Sequence, residues 1–202
     1  MLCTAAFLFA KESFGLYTVE KEIRRIPDMF QRFYPSSYAE NAYDIDYEGL
    51  YAQGYRGIIY DIDNTLVRHD APATKQAIDL FARLKAIGFQ TLTLSNNKEW
   101  RVKMFCDAVG TAYLYKAAKP RKRGYVQAMH VMGTEPSNTI LIGDQLFTDI
   151  WGANRCRIRS ILVKPIHPKE RFQIVLKRIP ERLILFFYKR SLPKTSELSK
   201  NS

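Results

Sequence analysis

Short apolar runs alternate with amphipathic segments from Gly57 onward, and this alternation restricts the fold more than any other feature of the chain. The apolar runs are typical of buried strands and predict five of them: Gly57–Asp61, Phe89–Leu94, Ala112–Tyr115, Thr139–Ile142 and Ser160–Val163. Between them, apolar spacings of three and four predict four helices: Thr74–Ile87, Lys98–Val109, Arg121–Met132 and Phe147–Arg155. A glycine follows each of the first three helices, where a helix is expected to end: Gly88, Gly110 and Gly133.

Strands that alternate with helices pair in parallel, because a parallel return needs a crossover connection. The sequence therefore predicts an α/β fold, a three-layer α/β/α Rossmann-like sandwich with a parallel central sheet. Ligands of such sheets bind beyond the carboxyl ends of the strands. Several polar residues occupy those positions: Asp61 and Asp63 after the first strand, Ser95 after the second, Lys119 a few residues past the third, and Asp144 after the fourth.

Length and composition predict one catalytic domain with extensions. The 202 residues are 47% apolar and 25% charged, which argues against general disorder and against a membrane-spanning protein. We assign residues 55–168 to the catalytic core and residues 1–54 to an N-terminal extension with lead-in helices. Residues 169–190 are expected to form basic amphipathic helices, and residues 191–202 a disordered tail.

The cysteines and the N-terminus indicate a cytoplasmic protein. Cys3, Cys106 and Cys156 are widely separated and give neither a disulfide framework nor a metal-binding pair; Cys106 and Cys156 are interpreted as small apolar residues on helices. The apolar run Leu2–Ala10 is far shorter than the roughly 20 residues that cross a bilayer, and its flanking charges do not suit a signal peptide. We also hypothesise that translation starts at Met29.

The positive charge is concentrated near the C-terminus. The net charge is +11, and residues 151–202 hold 13 Lys/Arg against 3 Asp/Glu. Such a field favours anionic partners, either a lipid surface, a nucleic acid or a phosphorylated substrate. The segment from Phe172 to Tyr188 combines an apolar stripe with Lys and Arg, so it could lie on an anionic bilayer or pack on the core, with Pro180 starting a second helix.

The residues at the strand ends match the needs of phosphate monoester cleavage: a nucleophile, a proton donor and positive charge around phosphorus. Asp61 can supply the nucleophile and form an aspartyl-phosphate, and Asp63 can act as general acid and base. Asp144 would bring a third carboxylate beside Asp61. Because such acids repel each other when close, a hard oxygen ligand set of Asp61, Asp63 and Asp144 favours Mg²⁺.

The remaining candidates would bind the phosphate. Ser95 and the amides of Asn96 and Asn97 lie between a strand and a helix, where phosphate oxygens are readily bound. Lys119 adds a cation for the phosphate and the nucleophile. Thr65 is assigned to substrate binding, with its hydroxyl holding the first loop.

Each motif alone has a simpler interpretation as a solvated turn, a helix cap or a surface loop. Four such motifs in order at successive strand ends indicate a phosphoryl-transfer site. They resemble the four motifs of the haloacid dehalogenase (HAD) phosphatase superfamily: Asp61-Ile62-Asp63-Asn64-Thr65, Ser95-Asn96-Asn97, Lys119-Pro120, and Gly143-Asp144 through Asp149.

The resemblance implies a role for each of these positions. Asp61 would be the nucleophile and Asp63 the acid and base, with its backbone carbonyl also binding the metal. Asp144 would be a metal ligand. Asp149 would contact Lys119 or the metal-bound water without binding the metal directly. The resemblance covers residues from about Arg56 to Val163.

The spacing of the motifs points to an open site. Only 31 residues separate Asp63 from Ser95, and 23 separate Ser95 from Lys119, which leaves room for core crossovers but not for a large cap domain. An uncapped site suits a phosphate presented on something large, such as a protein, a nucleic-acid end or a lipid head group.

The whole chain beyond residue 28 resembles the YqeG-type subclass IIIA phosphatases, relatives of mitochondrial phosphatidylglycerophosphate phosphatase. This similarity implies hydrolysis of phosphatidylglycerophosphate to phosphatidylglycerol, in phospholipid biosynthesis, by a cytoplasmic protein on the inner face of the membrane. An anionic phospholipid or membrane surface is then the expected partner, with no nucleic-acid or protein partner. Two alternatives remain: a phosphatase of soluble nucleotides, sugar phosphates or nucleic-acid ends, and a non-catalytic membrane-bound or anion-binding scaffold.

Overall fold

The computed structural model describes residues 30–167, 180, 181 and 183–188. Six strands form one sheet: β1 Ser37–Ala39, β2 Gly57–Tyr60, β3 Gln90–Leu94, β4 Ala112–Leu114, β5 Thr139–Gly143 and β6 Arg159–Val163. The α-helices are α1 Tyr47–Ala52, α2 Lys75–Ile87, α3 Glu99–Val109, α4 Lys122–Met132 and α5 Trp151–Arg155. Two 3₁₀ turns and one π-helix complete these elements: Gln31–Phe33, Pro136–Asn138 and Leu146–Ile150.

Every strand pair in the sheet is parallel, in the order β1-β6-β5-β2-β3-β4. The predicted α/β fold with a parallel central sheet is therefore confirmed. The five predicted strands and four predicted helices are present within one or two residues of their expected ends, and the fourth helix begins as a π-helix. Gly88, Gly110 and Gly133 cap their helices in the left-handed conformation, which glycine adopts without strain.

Strand β1 is an addition that the sequence did not predict. It lies within the segment assigned to the N-terminal extension, yet it pairs with β6 along the edge of the sheet. Its three residues are too few to show an alternating pattern, so only the pairing reveals the strand. The sheet therefore begins before residue 55, while the remaining domain boundaries stay predictions.

Helices cover both faces of the sheet, as the three-layer prediction requires. Ile58 and Tyr60 of β2 point to the face packed by α1, α2 and α3, whereas Ile59 points to the face packed by α4 and α5. This alternation follows from the two-residue period of a strand. Both faces are apolar, so β2 is fully buried. Cys106 is also buried, in contact with Thr93, which agrees with its predicted packing role.

The segments between the motifs contain core elements alone. From Asp63 to Ser95 the chain forms a loop, α2 and β3, and from Ser95 to Lys119 it forms α3, β4 and their connections. The expectation of no large cap domain is therefore confirmed for these two segments. Within the described part of the chain, no helix has both the length and the apolar character needed to cross a membrane.

The C-terminal helical residues pack partly on the core. Glu181 is buried and accepts a hydrogen bond from the backbone N–H of Leu146, and Ile184 is buried in the same face of the core. Leu183 and Phe186 are each more than half exposed, at 52% and 53%. The predictions for residues 1–29, 168–179 and 189–202 lie outside the described residues.

Candidate active site

The carboxyl ends of two neighbouring strands bring three aspartates together. The backbone N–H of Asp61 donates to the carbonyl oxygen of Ile142 at 3.0 Å, so the chain leaves β2 and β5 at the same level. One carboxylate oxygen each from Asp61, Asp144 and Asp149 lies within 4.8 Å of the other two. All three residues are buried. Asp61 is more than 80 residues from Asp144 and Asp149 in the sequence, and the parallel pairing of β2 with β5 brings it beside them.

Lys119 places a buried ammonium among these carboxylates. Its Nζ lies 2.6 Å from Asp61 Oδ1 and 2.7 Å from Asp149 Oδ1. The backbone of Lys119 is anchored by the Asn96 side chain, whose Oδ1 accepts a hydrogen bond from Lys119 N at 2.7 Å. The loop after β4 is thereby joined to the loop after β3, and together they direct the lysine toward Asp61.

A π-helix brings Asp149 back over the end of β5. Residues Leu146–Ile150 follow Asp144 directly, and Asp149 Oδ2 accepts a hydrogen bond from Gln145 N at 3.1 Å. Gly143 allows this approach, because a Cβ at that position would lie 2.6 Å from Asp149 Cγ. The sequence predicted a regular helix here. The structure instead has a wider π-turn, in which Asp149 points inward to Lys119 rather than outward to solvent, and π-turns are frequent at functional sites.

Burial and charge shift the acid–base behaviour of the cluster. Burial raises the pKa of Asp61 to about 7, the adjacent Lys119 opposes that rise, and Asp149 adds to it. Burial alone would lower the pKa of Lys119, but Asp149 and Asp61 outweigh it and raise that pKa above its ordinary value. The lysine is therefore charged, while Asp61 lacks enough positive charge nearby to stay fully ionised at neutral pH.

The charge balance of this cluster fits a divalent cation. Asp61, Asp144 and Asp149 offer hard carboxylate oxygens, and Lys119 compensates only one of their three charges. A divalent ion would balance the remainder, and carboxylate oxygens that share an ion with phosphate suit Mg²⁺. The predicted metal set contained Asp63 in place of Asp149. The Asp63 carboxylate lies outside this cluster, so its predicted contact would be made through the backbone carbonyl.

Asp63 is held in a separate network beside the cluster. Its Oδ1 accepts hydrogen bonds from Arg101 Nη2 at 2.8 Å and from Asp70 N at 3.1 Å, and its Oδ2 accepts one from Asn97 Nδ2 at 3.1 Å. Arg101 is 1% exposed, so its side of the ion pair with Asp63 is almost completely removed from water, whereas the Asp63 side chain is 15% exposed. His69 also approaches, with Nδ1 at 3.8 Å from Asp63 Oδ2. These contacts orient the Asp63 side chain toward the loop that carries Ser95.

The other predicted site residues meet at the same edge of the sheet. Ser95 is buried, and its Oγ accepts a hydrogen bond from Asn97 N at 3.1 Å. Thr65 Oγ1 donates to Asp144 Oδ1 at 3.4 Å, so Thr65 connects the first loop to Asp144. The structure thus assembles every predicted site residue, and the individual roles of these residues remain predictions.

Sequence reasoning missed Arg101, His69 and Asp70. Arg101 had a detectable signal, because it stands four residues before Phe105 on the buried face of α3. A cation on that face requires a partner. His69 and Asp70 belong to an irregular loop with no such periodicity.

Comparison with known proteins agrees with this geometry. The family model described as HAD-hydrolase-like matches residues 116–165. The protein "Probable phosphatase YqeG" of Bacillus subtilis is 38% identical over 164 residues, which cover 80% of this chain and 95% of that protein. A phosphatidylglycerophosphate phosphatase 1 of Arabidopsis thaliana is 30% identical over 74% of this chain and 45% of its own length. A crystal structure of an uncharacterized Listeria monocytogenes protein gives a TM-score of 0.45 at 18% identity, over 67% of this chain and 99% of the other.

An open parallel sheet with an aspartate–lysine cluster at its carboxyl edge, together with the family-model match and the similarity to the Bacillus subtilis protein, defines a phosphatase of the HAD class. Within that class, the chain belongs to the family of YqeG-type phosphatases, to which it is similar over most of its length.

Proposed function

We propose that this phosphatase is magnesium-dependent and hydrolyses the terminal phosphate of phosphatidylglycerophosphate, leaving phosphatidylglycerol. The observation that carries the proposed chemistry is the contact of Lys119 Nζ with Asp61 Oδ1 at 2.6 Å, beside Asp144 at the open edge of the sheet. Support for the lipid substrate comes from the similarity to the Arabidopsis protein that carries that name.

Asp61 would attack phosphorus while the bond from phosphorus to the glycerol oxygen breaks, giving an aspartyl-phosphate. Asp63, as the general acid, would donate a proton to the leaving oxygen. Asp63 would then accept a proton from the water that releases inorganic phosphate and restores Asp61. Lys119 and the Ser95 loop would bind the phosphate oxygens. Mg²⁺ held by Asp61 and Asp144 would supply positive charge to the transferred phosphoryl group.

The absence of a cap between Asp63 and Lys119 supports a large substrate. Small-molecule sites usually enclose most of the ligand surface, whereas the described segments between Asp63 and Lys119 contain no domain that could enclose a ligand at this edge. A phosphate that projects from a lipid surface can reach such an edge, while the rest of the lipid stays in the bilayer.

A magnesium-dependent phosphate-release assay tests this substrate. The wild-type protein is expected to hydrolyse phosphatidylglycerophosphate in mixed micelles far faster than soluble nucleotides or sugar phosphates, and chelation of Mg²⁺ should stop the reaction. Turnover confined to the soluble esters would contradict the lipid substrate and favour the soluble-ester alternative. Loss of the cellular role in Asp61→Asn would exclude a purely scaffolding role.

Arg101 is expected to act as a positioning residue for Asp63. Arg101→Met removes the buried ion pair that orients Asp63, so kcat/KM for an alkyl phosphate should fall by about 100-fold, the scale of general acid catalysis. The loss for p-nitrophenyl phosphate should be small, because its leaving group needs no proton. Parallel steady-state assays on the two substrates measure this difference.

Arg83→Met is a suitable control, because Arg83 also pairs with a carboxylate, Glu48, but on the exposed surface. It should leave both substrates unaffected, and Arg101→Lys should restore part of the alkyl phosphate activity. Equal losses of Arg101→Met on both substrates would indicate general structural damage and refute the positioning role.

A further inference from the structure

Exposed aromatic and cationic side chains border the candidate site on the side of β4. We call this region the aromatic–basic surface and define it by Lys98, Trp100, Tyr115, Lys116, Arg121 and Arg123. Two grooves of about 560 and 340 Å³ adjoin each other there, with Tyr115 and Lys116 lining both. The surface is therefore continuous rather than a set of scattered residues.

The surface is connected directly to the candidate site. Lys116 N donates to the carbonyl oxygen of Asn97 at 3.1 Å, and Ala117 N donates to that of Ser95 at 3.0 Å. The first turn of α3 also joins the aromatic–basic surface to the candidate site, because Arg101 points inward to Asp63 while its neighbour Trp100 points outward. A partner bound on this surface would therefore lie beside the phosphate-binding loop.

Its aromatic residues are unusually open to water. Trp100 is 63% exposed and Tyr115 is 40% exposed. Large apolar side chains that border a functional site and are rimmed by polar residues are typical of interaction surfaces. Tryptophan and tyrosine are favoured at membrane interfaces, since one part of each ring is apolar and another forms hydrogen bonds.

The charge of the surface is positive. Among the described residues, the side chains of Lys98, Lys116, Arg121 and Arg123 form no ion pair with a carboxylate. Glu99 lines the larger groove together with Tyr115. Lys103 lines the same groove but is neutralised by Asp107. Within the described part of the chain, these four cations therefore outnumber Glu99, and the surface complements a negative partner.

We propose that the aromatic–basic surface docks on an anionic phospholipid bilayer and thereby presents a lipid phosphate to the uncapped site. This inference rests on the proposed lipid substrate and identifies where the protein would meet it. The aromatic rings would enter the head-group region, and the cations would contact lipid phosphates. The bilayer would then cover the site in the way that a cap domain covers it in other enzymes.

Vesicle binding tests this surface without any requirement for turnover. The protein is expected to cosediment with phosphatidylcholine vesicles that contain phosphatidylglycerol, but not with vesicles of phosphatidylcholine alone. Lys98→Glu/Lys116→Glu should weaken binding by at least about 30-fold, since each lost cation near an anionic surface contributes about fivefold and each introduced carboxylate adds repulsion. Trp100→Ala should also weaken it. In a Trp151→Phe background, Trp100 is the one remaining tryptophan of the chain, and its fluorescence should shift to shorter wavelength on binding.

Lys75→Glu/Lys85→Glu is the matched control, because it makes the same change of charge on the exposed side of α2. It should bind vesicles more tightly than Lys98→Glu/Lys116→Glu. Both double variants should retain turnover of p-nitrophenyl phosphate, which shows that the fold and the site are intact.

Several results would overturn the docking surface. They are the absence of vesicle binding by the wild-type protein, equal weakening by the two double variants, or loss of binding in Leu183→Ser/Phe186→Ser with full binding in Lys98→Glu/Lys116→Glu. Binding to nucleic acid in place of vesicles would also overturn it. Charge-dependent vesicle binding without hydrolysis of phosphatidylglycerophosphate would instead preserve the surface and refute the proposed substrate.

Discussion

Asp61→Asn is expected to lower phosphate release by at least about a thousandfold, because an amide cannot form the aspartyl-phosphate and the covalent route is lost. The change is nearly isosteric, and the amide oxygen can still accept the hydrogen bond from Lys119. The fold should therefore persist. Single-turnover assays with Mg²⁺ measure the loss, and mass spectrometry should detect a phosphorylated intermediate in the wild-type protein but none in the variant.

The same variant should be more stable than the wild-type protein at neutral and alkaline pH when Mg²⁺ is chelated. Burial raises the pKa of Asp61 from 3.8 to about 7. Between these values the folded state binds more protons than the unfolded state, so the free energy of unfolding falls as pH rises, and the penalty is complete above the folded-state pKa. Asparagine does not ionise and avoids this penalty.

Urea unfolding of both proteins across this pH range, with a chelator present, measures the difference. Asp107→Asn, an exposed carboxylate on α3, is the control and should show no comparable pH-dependent gain. Addition of Mg²⁺ should stabilise the wild-type protein more than Asp61→Asn, because the ion binds the ionised carboxylate of the folded state. A variant that is less stable than the wild type at alkaline pH without Mg²⁺ would contradict this account.

Lys119→Met is expected to abolish activity and to lower the free energy of unfolding by about 3–5 kcal/mol, as is typical when one partner of a buried ion pair is removed. The substitution leaves Asp61 and Asp149 buried without the cation that contacts both of them. Methionine fills a similar volume, so lost packing contributes little. Chemical denaturation and phosphate release measure the two effects.

Lys103→Met provides the control for this prediction. Lys103 contacts Asp107 at 2.6 Å, the same distance as Lys119 to Asp61, but its ion pair is exposed. Exposed ion pairs are screened by water, so Lys103→Met is expected to change the free energy of unfolding little. The double variant Lys119→Met/Asp149→Asn should regain part of the stability without regaining activity. If Lys119→Met lowers the free energy of unfolding no more than Lys103→Met does, the proposed role of the buried charge is refuted.

The fold was largely predictable because its signals are local. The apolar run of β2 and the glycines that end α2, α3 and α4 can be recognised within a few residues of each other. β1 could not be predicted, because three residues carry no periodicity and the strand depends on its pairing with β6. The π-helix was missed for a related reason: its residues have the apolar spacing of an ordinary helix, and the contact of Asp149 with Lys119 lies outside any local pattern.

The candidate site was predictable in its members but not in its contacts. Asp61, Ser95, Lys119 and Asp144 follow strands whose ends meet at one edge, so their proximity follows from the βα order. The sequence did not show that Asp149 completes the carboxylate cluster while the Asp63 side chain points elsewhere. The directions of these side chains depend on which loops adjoin each strand end.

The sequence by itself determined the order of strands and helices and the positions of the polar residues at the strand ends, because periodicity and helix termination are local properties of the chain. Only the tertiary structure decided that Arg101 is buried against Asp63, that Lys119 contacts two aspartates, and that Trp100 stays exposed beside them. These outcomes depend on burial and on distances between segments far apart in the chain, and no short window of sequence contains them.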